Sequence, residues 1–244
     1  MNIYLVNILT LLAAMAVGYL LGSIPNGVII GKLFFKKDPR DYYSKNSGGT
    51  NSGRVLGKKM GVLVTILDML KAITAVFSFW AFLQFSGLFE QYYLWGNYYD
   101  ARPLIYYLAG LFAIIGHCYP IYIHFKGGKA VASTFGINGS ISPVLFALDL
   151  TFFLFLKKKK MVSLSSMCTS AVVTIGVYII SIISICTGFD SNILSFAFGS
   201  IQFPKIGFEL AVLDTFLTII IIYRHKANIA RIKNGTESKV SWIK

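Results

Sequence analysis

The sequence predicts an all-α polytopic membrane protein with about seven membrane helices, arranged as five full spans plus a re-entrant pair of half-spans. Of its 244 residues, 55% are hydrophobic and only 14% are charged, and the mean hydropathy is +0.65. A chain with so few charged residues cannot cover a water-facing surface, and its long apolar runs match the length of membrane helices. We therefore expect a single integral membrane domain over residues 1–244.

Five apolar runs are long enough to cross a bilayer as full spans. They comprise residues 3–30, 61–87, 103–123, 161–187 and 206–223. The first run has no basic start and is expected to be retained rather than cleaved as a signal peptide. Gly22, Pro25 and Gly27 predict a break near its end, of a kind found where backbone lines a cavity. Small and polar residues interrupt the run 131–156, which is expected to enter and return as two half-helices around residues 138–143.

The distribution of basic residues predicts the orientation. If 131–156 crossed the membrane fully, the lysine run 157–160 and the tail would lie outside. With a re-entrant pair, the inner face instead holds residues 32–59, 124–130, 157–160 and 224–244. These segments contain all 23 Lys and Arg residues except Lys71, Arg102 and Lys205. We therefore expect cytoplasmic basic loops and C-terminus, and an N-terminus and a loop 88–102 outside.

The formal net charge of +13 indicates anionic partners. Because the basic residues lie in short loops beside apolar runs, they suit anionic lipid head groups or anionic substrates, and no nucleic acid is expected as a partner. Cys118, Cys168 and Cys186 have no spacing typical of a disulfide framework or a zinc site. No metal-ligand cluster is visible, so neither a metal nor a cofactor is expected.

The loop from His124 to Ala130 contains two glycines between two lysines at the mouth of a membrane segment. Gly127 and Gly128 would allow positive φ and expose backbone N–H groups to an anion, with a helix dipole behind them. The alternative is a basic loop that only sets topology. Since Ala at positive φ costs about 1 kcal/mol, Ala130 is expected to have ordinary helical geometry.

Three further features have both a functional and a structural interpretation. The small polar run from Ser44 to Arg54 suits phosphoryl oxygens, or it is a flexible linker. Asp68 and Lys71 share a helix face at i, i+3 and form either a structural pair or a support for a site. His117 either caps and packs its helix or contacts a substrate.

The tail places Arg224, His225, Asn228 and Arg231 on one helical face. This stripe is either a basic amphipathic helix on anionic lipid or a donor array for a phosphate. In the second case His225 is a candidate proton carrier.

Five motifs, in order, together resemble the bacterial membrane family of acyl-phosphate:glycerol-3-phosphate acyltransferases. They are Gly22-Ser23-Ile24-Pro25, the segment Asp38 to Arg54, Asp68-Met69-Leu70-Lys71, the block from Gly116-His117 through Pro120 to Lys129, and Arg224-His225 through Asn228 and Arg231 to Gly235 and Glu237. The chain departs from the family pattern where Tyr43, Lys45, Ala72 and Ala130 replace glycines and where Gly49 replaces an alanine. The departures at Tyr43 and Lys45 flank Ser44.

The resemblance implies acyl transfer from an acyl phosphate to the 1-hydroxyl of glycerol 3-phosphate in a bacterial cell membrane, with lysophosphatidic acid and phosphate as products. An acyl phosphate is already activated, so positioning and charge stabilisation suffice. The catalytic residues it implies are Ser44, Lys129 and His225. The implied substrate-binding residues are Asn46, Thr50, Asn51, Arg54, His117, Gly127, Gly128, Arg224, Asn228, Arg231 and Glu237.

Two other classes share part of this pattern. A transporter of an anionic metabolite would also combine broken helices with basic residues, but no internal repeat is evident. A non-catalytic scaffold that binds anionic lipid would not explain the Gly-Gly loop or the ordered polar run before Arg54.

Overall fold

The computed structural model describes residues 3–86, 93–94, 99–100, 102–198, 201–202, 204 and 206–240. Most of the predicted loop 88–102, together with Lys205, lies outside these residues. The chain divides into two compact units, Met1–Ile137 and Asn138–Lys244. The expectation of one functional domain over the whole chain stays a prediction.

Unit 1 is built from long helices joined by two polar segments. Its helices are α1 (Ile3–Gly22), α2 (Asn26–Phe35), α3 (Gly49–Leu56), α4 (Lys58–Phe85), α5 (Arg102–Cys118) and the first part of α6 (Val131–Ile141). Single 3₁₀ turns lie at Pro39–Asp41 and Ile121–Ile123, and β1 (Tyr93–Leu94) pairs antiparallel with β2 (Tyr99–Asp100). The predicted break in the first span is confirmed, because Pro25 lacks an N–H and disfavours helical geometry in the preceding residue.

Helices α1 and α5 pack through small residues. A Cβ atom on Gly18 would collide with the backbone of Ala109, and one on Gly22 would collide with that of Ala113. Small residues four positions apart let two membrane helices approach at the backbone. Helix α4 packs against both, and its Val64 and Val76 are fully buried, so α1, α4 and α5 form the core of unit 1.

Unit 2 contains the end of α6 and the remaining helices. These are α7 (Pro143–Asp149), α8 (Thr151–Lys159), α9 (Val162–Thr187), α10 (Phe208–Arg224) and α11 (Lys226–Lys233), with a 3₁₀ turn at Ser191–Leu194 and the antiparallel pair β3 (Ala197–Phe198) and β4 (Ile201–Gln202). Hydroxyl groups join α9 to α10: Thr174 Oγ1 lies 2.9 Å from Thr218 Oγ1, and Tyr178 Oη lies 3.1 Å from Thr215 Oγ1. Such hydrogen bonds commonly stabilise contacts between membrane helices.

The run 131–156 is broken once within the predicted residues 138–143 and once more beyond them. It forms three helices separated at Ser142 and Leu150, whereas two half-helices around residues 138–143 were expected. Asn138 and Gly139 remain helical because tertiary packing outweighs their low helix propensity. Ser142 Oγ accepts a hydrogen bond from the Val144 N–H at 3.1 Å and, with proline in the first turn, starts α7.

Among the described residues, four segments are long and apolar enough to cross a membrane. They are Leu5–Phe35, Lys58–Phe85, Arg102–Ile123 and Val162–Thr187, and they match four of the five predicted full spans. Helix α10 has 17 residues and is therefore about 26 Å long, slightly less than a typical hydrocarbon core. Leu12 on α1 and Ile179 on α9 are among many exposed apolar side chains that suit a lipid-facing surface. The exact number of spans and the re-entrant pair stay predictions.

Candidate functional site

The Asp68–Lys71 pair predicted from sequence lies at the centre of a buried network in unit 1. Lys71 Nζ is 3.1 Å from Asp68 Oδ1 and donates to the Ile24 carbonyl oxygen at 2.7 Å. Asn26 Nδ2 donates to the same Asp68 oxygen at 3.0 Å, and His117 Nδ1 lies 3.6 Å from it. The Asp68 carboxylate therefore has three polar neighbours on three helices, of which Asn26 was not predicted.

This network lines a small pocket at the break between α1 and α2. The other lining residues are Gly22, Ser23, Ile24, Pro25, Ser47 and Pro120. Four of the five motifs identified in the sequence therefore meet in unit 1, with the broken first span supplying backbone at the pocket wall. Polar backbone at a helix break is tolerated in a membrane where it lines such a cavity.

The two glycines of the Gly-Gly loop are needed for space. A Cβ atom on Gly127 would collide with the His117 carbonyl, and one on Gly128 would collide with the His117 ring. The Gly128 N–H donates to the His117 carbonyl oxygen at 2.9 Å. Neither glycine has positive φ, so that part of the prediction is wrong. The close approach of His117 is the reason that the structure gives for glycine at these positions.

Ala130 contradicts its prediction as well. It is buried and has a φ of 62°, because the chain turns there from the loop into α6, which begins at Val131. Tyr43 has a φ of 49° and Lys45 a φ of 51°. The family pattern has glycine at these three positions, of which two flank Ser44 and one closes the Gly-Gly loop. Each has a left-handed backbone here although it carries a side chain.

The polar run from Ser44 to Arg54 is half loop and half helix, since α3 begins at Gly49. The side-chain oxygen of the buried Asn51 accepts from the Ser44 N–H at 3.2 Å and from Ser44 Oγ at 2.9 Å. Its Nδ2 donates to the carbonyl oxygens of Pro39 at 2.7 Å and Asn46 at 2.9 Å. Asn51 therefore positions Ser44 by holding the loop closed. The alternative of a flexible linker is wrong for this half of the run because a single buried amide fixes it.

Arg40 connects this loop to the turn before the Gly-Gly loop. Its Nη1 donates to the Ile123 carbonyl oxygen at 3.2 Å, and its Nη2 lies 2.7 Å from Asp38 Oδ2. Hydrogen bonds from Arg40 hold the pKa of Asp38 at about 2, against the opposing effect of partial burial. Unit 1 thus ties together two of the three predicted polar segments, with Thr50 and Arg54 exposed on α3 and Lys129 half-buried.

The tail residues assemble in unit 2 around Glu237. One of its carboxylate oxygens accepts from Ser163 Oγ at 2.6 Å and Asn228 Nδ2 at 2.7 Å, and the other accepts from Arg231 Nε at 2.8 Å. Burial acts to raise the pKa of Glu237, but hydrogen bonds from these three side chains hold it below its ordinary value. Glu237 is therefore an anionic anchor that orients Asn228 and Arg231.

The predicted continuous stripe from Arg224 to Arg231 is interrupted. Helix α10 ends at Arg224, His225 caps it with a φ of −96° and a ψ of 7°, and α11 begins at Lys226. The His225 ring is buried, and its Nδ1 lies 2.8 Å from the Ile221 carbonyl oxygen. When Nδ1 donates this hydrogen bond, Nε2 is the nitrogen with a lone pair and can accept a proton.

Two buried carboxyl groups in unit 2, those of Asp149 and Asp214, were not predicted as functional. The sequence signal was present, since an isolated acid within an apolar run is costly and commonly functional. Within the described part of the chain, no group of three or more His, Cys, Asp or Glu side chains could hold a metal ion.

Comparison with known proteins identifies close relatives. A family model described as glycerol-3-phosphate acyltransferase matches residues 12–235. A glycerol-3-phosphate acyltransferase of Staphylococcus aureus (strain Newman) is 37% identical over 96% of this chain and 99% of its own length. One of Staphylococcus haemolyticus (strain JCSC1435) is 41% identical over 92% of this chain and 95% of its own length.

Two solved structures have the same fold. Both are crystal structures of PlsY (YgiH), an integral membrane glycerol 3-phosphate acyltransferase. Its glycerol 3-phosphate form matches with a TM-score of 0.70 and 28% identity, covering 95% of this chain and 96% of that one. Its lysophosphatidic acid form matches with a TM-score of 0.68 and 27% identity, covering 95% of each chain.

Proposed function

Because the chain belongs to the glycerol-3-phosphate acyltransferase family, we propose that it transfers an acyl group from an acyl phosphate to the 1-hydroxyl of glycerol 3-phosphate. The products are lysophosphatidic acid and inorganic phosphate. The observation that carries the proposal is the match of the whole fold to a relative solved in glycerol 3-phosphate and lysophosphatidic acid forms. The chain is thus an integral membrane acyltransferase of phospholipid biosynthesis.

In this reaction the 1-hydroxyl oxygen attacks the acyl carbonyl carbon, and the bond from that carbon to the phosphate oxygen breaks. The phosphate leaves with the bonding electrons, so its developing charge needs donors. The hydroxyl proton passes to an oxygen of the leaving phosphate or to a nearby imidazole. An acyl phosphate supplies the activation, so the protein's task is to position two substrates and stabilise charge.

The residues of unit 1 suit the phosphoryl group of the acyl phosphate. We assign Lys129 as its principal cation, with Ser44, Thr50 and Arg54 completing the clamp. The hydrogen bond that links Arg40 to Ile123 supports this assignment, because it joins the Ser44 loop to the turn before Lys129. Gly127 and Gly128 contribute by letting the loop lie against His117, and Asn46 and Asn51 by shaping the loop around Ser44.

The residues of unit 2 suit glycerol 3-phosphate. His225, Asn228 and Arg231, with Arg224, provide donors for a second phosphate, and His225 Nε2 is a candidate acceptor of the hydroxyl proton. A carboxylate would repel phosphate, so Glu237 acts through the residues that it holds. Its three hydrogen bonds, from Ser163, Asn228 and Arg231, support this positioning role.

The assignment is tested with purified protein in detergent, given an acyl phosphate and glycerol 3-phosphate. Lys129→Ala is expected to reduce kcat/KM on the order of 100-fold, the usual effect of losing one charge-stabilising donor. His225→Ala is expected to impair use of glycerol 3-phosphate. Lys158→Ala, which removes a charge from an exposed lysine run, is the matched control and should stay close to wild type.

Full activity of both Lys129→Ala and His225→Ala would overturn these roles. Phosphate release that does not depend on glycerol 3-phosphate would overturn the reaction itself. A transporter of an anionic metabolite or a lipid-binding scaffold would release no phosphate.

We also propose that the protein lies in a bacterial cell membrane with its basic loops, its active-site residues and its C-terminus in the cytoplasm and its N-terminus outside. The arrangement has five full spans and a re-entrant pair. An impermeant thiol reagent applied to intact cells tests it, in a chain whose native cysteines are replaced by serine. Asp190→Cys should be labelled and Lys239→Cys protected, and the reverse pattern would refute the orientation.

A further inference from the structure

Three polar side chains meet inside unit 2, on helices that are otherwise apolar. Asp149 ends α7, Asp214 lies in α10 and Asn138 lies in α6. Their residues are 4%, 2% and 1% exposed. The carboxyl groups of Asp149 and Asp214 lie close enough to repel each other when both are ionised, and the Asn138 amide lies beside Asp214.

In the part of the chain that the structure describes, five oxygen atoms of this cluster lack a hydrogen bond. Asn138 Oδ1 and both carboxylate oxygens of Asp149 and of Asp214 are buried and form no hydrogen bond of acceptable geometry within the described residues. The Asn138 amide is a donor near Asp214, and it acts against the effect of burial on that carboxyl group. All five are acceptor atoms. A buried polar atom without a partner costs about 1–3 kcal/mol, and more when it is charged, so this arrangement is unfavourable unless something positive binds there.

No basic side chain of the described residues supplies that charge. Within the described residues, neither Asp149 nor Asp214 forms an ion pair with Lys, Arg or His. Carboxylates inside membrane helices normally pair with a cation or face an ion pathway. Carboxylate and amide oxygens are the ligands that hard cations prefer.

We propose that Asp149, Asp214 and Asn138 form a binding site for a hard metal cation coordinated through oxygen. The two carboxylates provide the charge and the amide oxygen of Asn138 a neutral ligand. Because the three ligands come from α6, α7 and α10, the bound cation holds these helices together. The site uses none of the residues assigned to acyl transfer, so it is independent of the proposed function.

Thermal unfolding of the purified protein in detergent tests the site. At mildly alkaline pH and constant ionic strength, the chlorides of sodium, magnesium and calcium are each compared with choline chloride after treatment with a chelator. At least one of the three is expected to raise Tm by roughly 5 °C at saturation, as expected for a ligand that binds only the folded state.

Asp149→Asn and Asp214→Asn should abolish this shift. Both are close in shape to aspartate and remove the repulsion, so each should be at least as stable as wild type in choline chloride. Asp41→Asn removes the same charge at an exposed position and should keep the full shift.

Two results would overturn the proposal. One is a Tm that none of the three cations raises above choline chloride, or raises equally in Asp214→Asn. The other is a rise in Tm with the cation that is as large at a pH where both carboxyl groups are protonated as at mildly alkaline pH, because protonated carboxyl groups would not bind the cation.

Discussion

The buried carboxylates of the two units differ in whether polar groups of the protein surround them. In unit 1, Asp68 has a lysine at 3.1 Å, an amide donor at 3.0 Å and a histidine at 3.6 Å. In unit 2, Asp149 and Asp214 are buried to a similar extent but have no partner among the described residues. Groups of the protein balance the charge of Asp68, whereas the carboxylates of Asp149 and Asp214 need a bound ligand.

The largest expected effect comes from breaking the completed network. Asp68→Ala leaves the Lys71 ammonium buried without its counter-charge, which typically costs about 3–5 kcal/mol. The free energy of unfolding in detergent should fall by that amount. The double variant Asp68→Leu with Lys71→Met should be more stable than Asp68→Ala, since replacing a buried pair with apolar groups is often neutral. Wild-type stability of Asp68→Ala would show that the pair is not a structural element.

The same difference is expected between two buried amide side chains, Asn51 in unit 1 and Asn138 in unit 2. Asn51→Ala removes hydrogen bonds to Ser44, Pro39 and Asn46 and leaves their groups unsatisfied, so it should cost about 1–3 kcal/mol of stability and lower activity. Asn138→Ala removes an oxygen that has no hydrogen-bond partner among the described residues and should cost less in choline chloride. Equal losses of stability for the two variants, measured by thermal unfolding, would contradict the distinction.

A smaller effect, a gain in stability rather than a loss, is expected from a backbone change at Ala130. Ala130 has a φ of 62°, so Ala130→Gly should stabilise the protein by about 1 kcal/mol by removing left-handed strain. Ala132→Gly, inside helix α6, should instead destabilise it by about 0.5–1 kcal/mol. Destabilisation by both substitutions would show that position 130 is not strained.

The smallest effect concerns the Asp38 carboxylate outside the membrane helices. Its pKa is about 2 in the folded protein, below the ordinary 3.8. Its contribution to stability is therefore present above the unfolded pKa and is lost as the pH falls through the folded pKa. Between about pH 4 and pH 2, Asp38→Asn should lose less Tm than wild type, with Asp41→Asn as the control. Parallel losses in all three proteins would refute the role of the Arg40 contact.

The sequence predicts the features that depend on local spacing. The break at Pro25 follows from proline chemistry, and the contact between Asp68 and Lys71 follows from the helical repeat. Both are confirmed. Helices over most of the apolar runs follow from the cost of unsatisfied backbone in lipid.

Features that depend on long-range contact were missed or misjudged. Gly128 is required by the ring of His117, eleven positions earlier in the chain. Ala130, itself buried, has a left-handed backbone where the loop turns into α6. Asn26 reaches Asp68 across 42 positions. No spacing rule reveals such proximities, although a solitary acid in an apolar run was a usable signal for Asp149 and Asp214.

The most direct test of the central claim is the stoichiometry of the wild-type reaction. Purified protein given an acyl phosphate and glycerol 3-phosphate should form lysophosphatidic acid and inorganic phosphate in equal amounts, and omission of glycerol 3-phosphate should abolish both products. Phosphate release without lysophosphatidic acid, or no turnover by folded protein, would contradict the proposed acyl transfer.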